Sequence, residues 1–560
     1  MRTLLLSFFM MLCALANAQT PTWLWANSAS GNNNDLVKSV TTDVNGNVYT
    51  VGSFSSDTLH FGAYTLINSG WGTFDMFVVK YDALGNALWA TSAGGSDSDY
   101  GSGVTVDTVG NIYVAGSFRS DYITFGSITL TNSGPPYSDF FVVKYDVSGN
   151  VVWVNSSKNS ISSDASYSIC TDGFGNVYYS GPYQSDSITI GTTTLLNPGA
   201  PNRDSYIVKY GSSGNVLWVK GIGGLDDDAV NSISTDGNGN LVACGYFFSS
   251  SLVLGGVSLL NSSYGTSDLF VVKYDPSGNV IWAKSAGGND SDYGSSVAAD
   301  IHGNVFMGGS FRSSTIRFGA ITLINSGPPY SDFCLVKYDA FGNVVWANTS
   351  KNSVSSDATY SICTDRTGNT FLTGPYQGDS ITIGNTTLHN NAAPNRNFYI
   401  ARYDSLGDVD WAIGLGGNND DAGYSICIDP SGDLFAGGYF TSPSLNFGSI
   451  TLTNSGFGTT DLFIGKLIES ESPILNTGID AAQNIVICPN PIFTTAIIQF
   501  DPGLNNAEIA LYDIFGKKIS VTHHFSGIKL DFDKGSLMSG VYFLNIKQGN
   551  KSITGKLVIQ

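Results

Sequence analysis

Residues 77–95, FVVKYDALGNALWATSAGG, return 193 positions later as FVVKYDPSGNVIWAKSAGG at 270–288. Working outward from Trp89 in this stretch, tryptophans fall at 25, 89, 153, 218, 282, 346 and 411, spaced 64 or 65 residues apart. Other residues keep the same register. One aspartate series is Asp35, Asp99, Asp164, Asp228, Asp292, Asp357 and Asp421; a second is Asp43, Asp107, Asp172, Asp236, Asp300, Asp365 and Asp429. A cation recurs as Lys80, Lys144, Lys209, Lys273, Lys337, Arg402 and Lys466. Seven copies of one pattern indicate a repeat architecture, not a string of unrelated domains. Units two and three (SGPPYSDFFVVKYD, SSKNSISSDASYSICTD) closely match units five and six (SGPPYSDFCLVKYD, SSKNSVSSDATYSICTD). The order is therefore A-B-C-A-B-C-A, and duplication of a three-unit block accounts for the near-copy.

Each unit reads as β-structure. A run such as SVTTD passes through a D-x-x-G-N turn into NVYTVGSF; a smaller hairpin, LHFGAYTLINS, follows; then FVVKYD, a second D-x-x-G-N turn and NALWA. Asp caps such turns and Gly tolerates positive φ. Four main strands repeated seven times predict an all-β chain, a seven-bladed β-propeller with an extra hairpin between strands two and three. The ends predict closure. The chain enters with WLWANS, a lone fourth strand, and the seventh unit stops at DLFIGKL with no fourth strand after it. Residues 21–28 are expected to complete the last blade and cover its edge.

Composition agrees. The 560 residues include 66 Gly, 28 Tyr and 32 Phe, with 13% charged residues and only three glutamates, Glu469, Glu471 and Glu508. A net charge of −19 excludes nucleic acid and anionic membrane as expected partners. The first residues, MRTLLLSFFMMLCALANAQT, read as a secretory signal peptide over 1–18: Arg2 is the basic region, Leu4 to Leu15 the apolar core, and Ala16-Asn17-Ala18 the cleavage site before Gln19. No later run is long and apolar enough to span a membrane. Six cysteines remain, without C-x-x-C spacing, and are read as small buried hydrophobes.

The blocks GNVYTVGSF and FVVKYDALGNALW, repeated across 21–467, make this region similar to the bacterial β-propeller-repeat proteins known as SBBP-repeat proteins. That resemblance implies a propeller and no common activity. The texture changes after Leu467. A linker over 468–484 leads to a small β-unit, expected to be an Ig-like sandwich, over 485–560. Within it stand Pro489-Asn490-Pro491, Leu511-Tyr512-Asp513 with Gly516-Lys517, Gly540-Val541-Tyr542-Phe543 and a terminal Lys556-Leu557-Val558-Ile559. These blocks resemble the type A C-terminal sorting domain of the type IX (Por) secretion system. Cys488 departs from the aromatic usual before Pro-Asn-Pro. The resemblance implies a Bacteroidota-type bacterium, engagement of type IX secretion machinery and a sorting peptidase, and an end state secreted or at the cell surface.

Catalytic signals are sparse. The repeat region has three histidines, His60, His302 and His389, none in register, and no H-E-x-x-H, phosphate loop or G-x-S-x-G motif. A glycosidase here would need two aspartates about 5–9.5 Å apart. No cofactor is expected. The first aspartate series, one residue per unit before the first strand, would rim one mouth of the ring and suit Ca²⁺. The preferred reading is that each accepts hydrogen bonds from its own loop. The cation series is expected either to pair with an aspartate series or to lie on an outer face. The tryptophans are expected between blades. Variable loops, GPPY at 134–137 and 327–330 and APNR at 200–203 and 393–396, are where function would differ among units. The expected role is non-enzymatic binding or adhesion to a glycan or protein. The alternatives are a polysaccharide hydrolase using Asp pairs and a structural surface-layer component.

Overall fold

In the computed structural model, residues 21–29, 31–158, 162–353, 355–456 and 458–469 are described, and toward the C-terminus 484–488, 492, 494–513, 517–535, 537, 540–548 and 551–559. The predicted signal peptide, with Ala16, Ala18 and Gln19, and nearly all of the predicted linker lie outside the described residues. The chain divides into two compact units, 1–470 and 471–560.

The first unit opens with β1 (Thr22–Ser28), followed by β2 (Asp35–Thr42), β3 (Val48–Phe54), β4 (Thr58–Phe61), β5 (Tyr64–Ile67), β6 (Asp75–Tyr81) and β7 (Ala87–Ala93). β2, β3, β6 and β7 form a four-stranded antiparallel sheet in that order, and β4–β5 stand apart as a two-stranded hairpin. The pattern repeats to give seven four-stranded sheets. The seventh combines Asp421–Ile428, Leu434–Phe440 and Asp461–Ile468 with β1, so the chain's first strand is that sheet's fourth. Trp25 pairs with Lys466 and Ser28 with Phe463. β2 contacts the equivalent strands Asp99–Val106 and Asp421–Ile428, and the same contact runs from each first strand to the next. The sheets therefore close into a propeller-like ring.

Burial explains the strand sequences. β3 is buried along its whole length because neighbouring sheets cover both faces, so it reads as an almost continuous apolar run. Core clusters straddle the junctions: Val37, Phe54 and Phe77 of the first sheet share one with Phe435, Leu462 and Ile464 of the seventh.

A second device links sheets at five of the junctions, where the tryptophans at 25, 153, 218, 282 and 346 donate to a turn carbonyl of the following unit. Trp153 donates Nε1–H to the Ser212 carbonyl in the following unit's turn, and Lys144 donates to the same oxygen. Trp218 and Lys209 share the Pro276 carbonyl, and Trp346 and Lys337 share that of Ser405. The turn glycine lies flat under the indole. At Gly342, φ is +82° and an added Cβ would stand 2.8 Å from the Trp282 ring. The tryptophans thus pack between sheets as expected. The open question over the cations resolves toward burial between sheets, where Lys273 also meets Asp236 at 2.9 Å and Lys209 meets Asp172 at 3.7 Å.

The seam obeys the same rule with different atoms. The seventh unit has no such turn, because its fourth strand comes from the N-terminus. Glu469 occupies the equivalent position, three residues after Lys466, and its carboxylate accepts from Trp411 Nε1 at 2.8 Å and from the Arg402 guanidinium. The strand before it runs to Ile468, one residue past the predicted boundary at 467.

In the second unit, the strands Asn484–Cys488, Thr495–Asp513, Lys518–Asp533, Gly540–Gln548 and Lys551–Ile559 form one five-stranded antiparallel sheet. Its core includes Ile498, Leu504, Ile509, Leu544 and Leu557.

Candidate functional site

Five of the seven first strands of the ring carry a register slip near their start. In β2 the slip falls between Val37 and Ser39, so Lys38 is the extra residue; Ser102, Asn231, Ser295 and Tyr424 occupy the slips of four other units. A bulge re-aims the side chain of its extra residue. Lys38, Ser102, Asn231, Ser295 and Tyr424, with Tyr167 and Tyr360 from the third and sixth units, line a cavity of about 650 Å³. All lie three residues after the buried aspartate of their unit.

One residue further on, the pattern is nearly uniform: Ser39, Ser168, Ser232, Ser296, Ser361 and Ser425, with Gly103 in the second unit. These hydroxyls accept backbone N–H groups from the next sheet. Val40 donates to Ser425 at 3.0 Å, Val104 to Ser39 at 3.3 Å, and Ile233, Val297, Ile362 and Ile426 to Ser168, Ser232, Ser296 and Ser361 at 3.1 Å. Gly103 offers no hydroxyl to Ile169, whose side chain packs against it instead.

The cavity wall is rich in hydroxyls and aromatic rings. Tyr360 and Tyr424 stack with centroids 5.8 Å apart, and the Lys38 ammonium lies 4.1 Å from the Tyr424 centroid. Desolvation by the surrounding protein pulls Lys38 below its ordinary pKa. The variable APNR loops reach the same tyrosines. Arg203 lies near Tyr246, Asp227 and Tyr167, and Arg396 near Tyr439, Asp420 and Tyr360. Each arginine has a carboxylate partner: Asp227 at 3.2 Å and Asp420 at 3.4 Å.

The seven aspartates are placed differently from a rim. Asp35, Asp99, Asp164, Asp228, Asp292, Asp357 and Asp421 are all buried at the start of the first strands, and none lines the cavity. Asp35, Asp99, Asp228, Asp292 and Asp421 each accept a serine hydroxyl at 2.7 or 2.8 Å, from Ser56, Ser120, Ser249, Ser313 and Ser442. Asp357 accepts from Phe333 N–H and the Ser350 hydroxyl. Desolvation pushes Asp35, Asp99, Asp292 and Asp357 up to about 7 and Asp228 up to about 6. A second buried carboxylate adds to this at several junctions, as Asp461 does for Asp35 and Asp75 for Asp99. Among the described residues no group of three or more His, Cys, Asp or Glu side chains could hold a metal ion. The second series is turn chemistry: Asp43 accepts the N–H groups of Asn45 and Asn47. Cys170, Cys244, Cys334, Cys363 and Cys427 are unpaired and buried or half-buried.

Of the export-related residues, Asp513 pairs with Tyr542 across adjacent strands, Gly540 pairs with Ile559, and Lys517 is exposed. Pro489, Asn490, Pro491 and Gly516 lie outside the described residues. The order of the motif blocks is matched by comparison with known families. Residues 486–560 match the family of secretion system C-terminal sorting domains. Such a domain marks proteins delivered to the cell surface or exterior in Bacteroidota and engages the secretion machinery, so the chain is a secreted or surface protein. Residues 88–117 match a beta-propeller repeat. An uncharacterized WD repeat-containing protein L264 of Acanthamoeba polyphaga mimivirus is 27% identical over 355 residues, 50% of this chain and 24% of that protein. Regulatory protein FlaEY of Caulobacter vibrioides is 25% identical over 277 residues, 46% of this chain and 28% of that one. The chain thus spans about a quarter of the length of these curated relatives. Among solved structures, PorZ, an essential surface component of the type-IX secretion system of Porphyromonas gingivalis, aligns over 96% of this chain and 100% of its own at 11% identity and a TM-score of 0.18, too low to bear on the fold or the site. No helix among the described residues is long and apolar enough to cross a membrane.

Proposed function

We propose that the chain is a non-enzymatic binding protein displayed at the cell surface. In this reading the ring is a seven-bladed propeller that takes a glycan or protein ligand at its axis. The C-terminal unit is an Ig-like sandwich that directs type IX export and is then removed by the sorting peptidase. The observation that carries the proposal is the axial cavity, where the repeat gives up its uniformity to display Lys38, Asn231 and three tyrosines. The hydrolase alternative has less support: among the described residues no carboxylate and no histidine lines that cavity, and six of the seven repeated aspartates are engaged by serine hydroxyls.

The test is retention of the mature chain on immobilised polysaccharides and matrix proteins, with calcium and with chelator, beside Tyr360→Ala. Saturable retention that ignores chelator and falls in the variant is expected. Release of reducing ends, lost in Asp99→Asn, would establish the hydrolase reading instead. Concentration-dependent self-association with no retention would establish the surface-layer reading.

A further inference from the structure

Lys38 breaks the repeat where the repeat meets the cavity. Its counterparts in the other six units, Ser102, Tyr167, Asn231, Ser295, Tyr360 and Tyr424, are all neutral. Its ammonium rests against the face of Tyr424. No carboxylate lies within ion-pair distance of it among the described residues, whereas Arg203 and Arg396 nearby have Asp227 and Asp420. Lys38 is exposed at the cavity, and a cation there without a carboxylate partner, in a wall of hydroxyls, gains from an anionic group brought in by a ligand. The other walls describe the rest of that ligand. Stacked Tyr360 and Tyr424 offer ring faces, and Ser102, Ser295 and Asn231 offer polar groups around the opening. Among the lining side chains only Ile169 is a large aliphatic, which disfavours an apolar peptide anchor.

We infer that the axial cavity takes an acidic saccharide, with Lys38 meeting its carboxylate and the wall tyrosines and hydroxyls contacting its sugar rings. This rests on the binding role proposed above. The net charge of −19 does not forbid it, because charges beyond the Debye length of about 8 Å are screened at physiological salt while a direct contact inside the cavity is not.

The test is calorimetric titration of the full mature chain with oligogalacturonate, its methyl ester, a neutral maltooligosaccharide and poly-glutamate, repeated with Lys38→Met. The acid is expected to bind about tenfold more tightly than its ester, the worth of one charge-assisted hydrogen bond. Lys38→Met is expected to erase that difference, to retain residual saccharide binding and to leave the melting temperature unchanged. Equal binding of acid and ester to the unaltered chain, or a preference that survives Lys38→Met, would overturn the acidic specificity while leaving a binding cavity. Tighter binding of poly-glutamate than of any saccharide would overturn the ligand class. Retention on matrix protein with no saccharide binding would also overturn the class but keep the binding role. No binding to any of these probes or surfaces would remove both.

Discussion

On each inner strand two neighbouring positions behave in opposite ways. Four residues after the buried aspartate, six of seven units carry serine, and those hydroxyls join one sheet to the next. Three residues after it, at or beside the bulge, the seven residues are Lys, Ser, Tyr, Asn, Ser, Tyr and Tyr, and they face the cavity. Uniformity across copies of one repeat marks what every junction needs. Divergence marks what a junction does not need; the serines line the cavity too, so a ligand would meet a uniform set of hydroxyls and, beside it, the side chains that differ from unit to unit.

The strongest attempt to break this contrast strikes a uniform feature. Gly342→Val places a β-branched side chain at positive φ against the Trp282 ring and is expected to cost about 3 kcal/mol from backbone strain and overpacking, read by chemical denaturation. Next comes pH. Desolvation holds Asp35, Asp99, Asp292 and Asp357 near 7 in the folded ring against an ordinary 3.8, so between those values the folded state binds more protons than the unfolded one. Stability therefore falls as pH rises from about 4 to about 7, and the thermal midpoint is expected to be higher at pH 5 than at pH 8. Asp99→Asn should flatten that dependence, which a mere rise in net charge would not explain.

Glu469→Ala strips Trp411 and Arg402 of their shared acceptor and is expected to cost about 2 kcal/mol. Smaller still, Ser39→Ala removes one junction acceptor and is expected to cost about 1 kcal/mol, whereas Lys38→Met beside it leaves thermal stability unchanged. The mildest change sharpens the comparison. Gly103→Ser would supply the missing hydroxyl opposite the Ile169 N–H, with an added Cβ 2.9 Å from the Ile169 Cγ2. Ile169 is buried and its β-branched side chain is stiff, so the clash offsets the new hydrogen bond and a change within about 0.5 kcal/mol of zero is expected in thermal melts.

The ring was legible because its determinants are periodic. Tryptophan spacing counted the sheets, and a lone fourth strand at one end with a missing one at the other announced the seam. The cavity was not legible. In LVKSVTT a period-two reading assigns alternate residues to opposite faces, and a bulge at Lys38 shifts that assignment by one without any mark in the sequence. The aspartates read mainly as hydrogen-bond acceptors for their own loops; they do accept, but from a serine hydroxyl and backbone N–H groups that follow the next strand, a partnership the sequence spacing does not mark. Glu469 was visible as one of three glutamates, yet its role appears only when the missing turn of the seventh unit is known.

The account depends most on the N-terminal strand completing the seventh sheet. A Cβ built on Gly465 lies 3.6 Å from the Ala26 Cβ, a separation at which a disulfide closes, and 2.7 Å from Trp23 Cζ3, so every variant of the test also carries Trp23→Leu to make room. With Ala26→Cys and Gly465→Cys together, mild oxidation is expected to yield a peptide pair joining the two ends of the ring, detected by mass spectrometry and absent from either single variant. Two free thiols in a folded double variant under the same oxidant would contradict the closed ring.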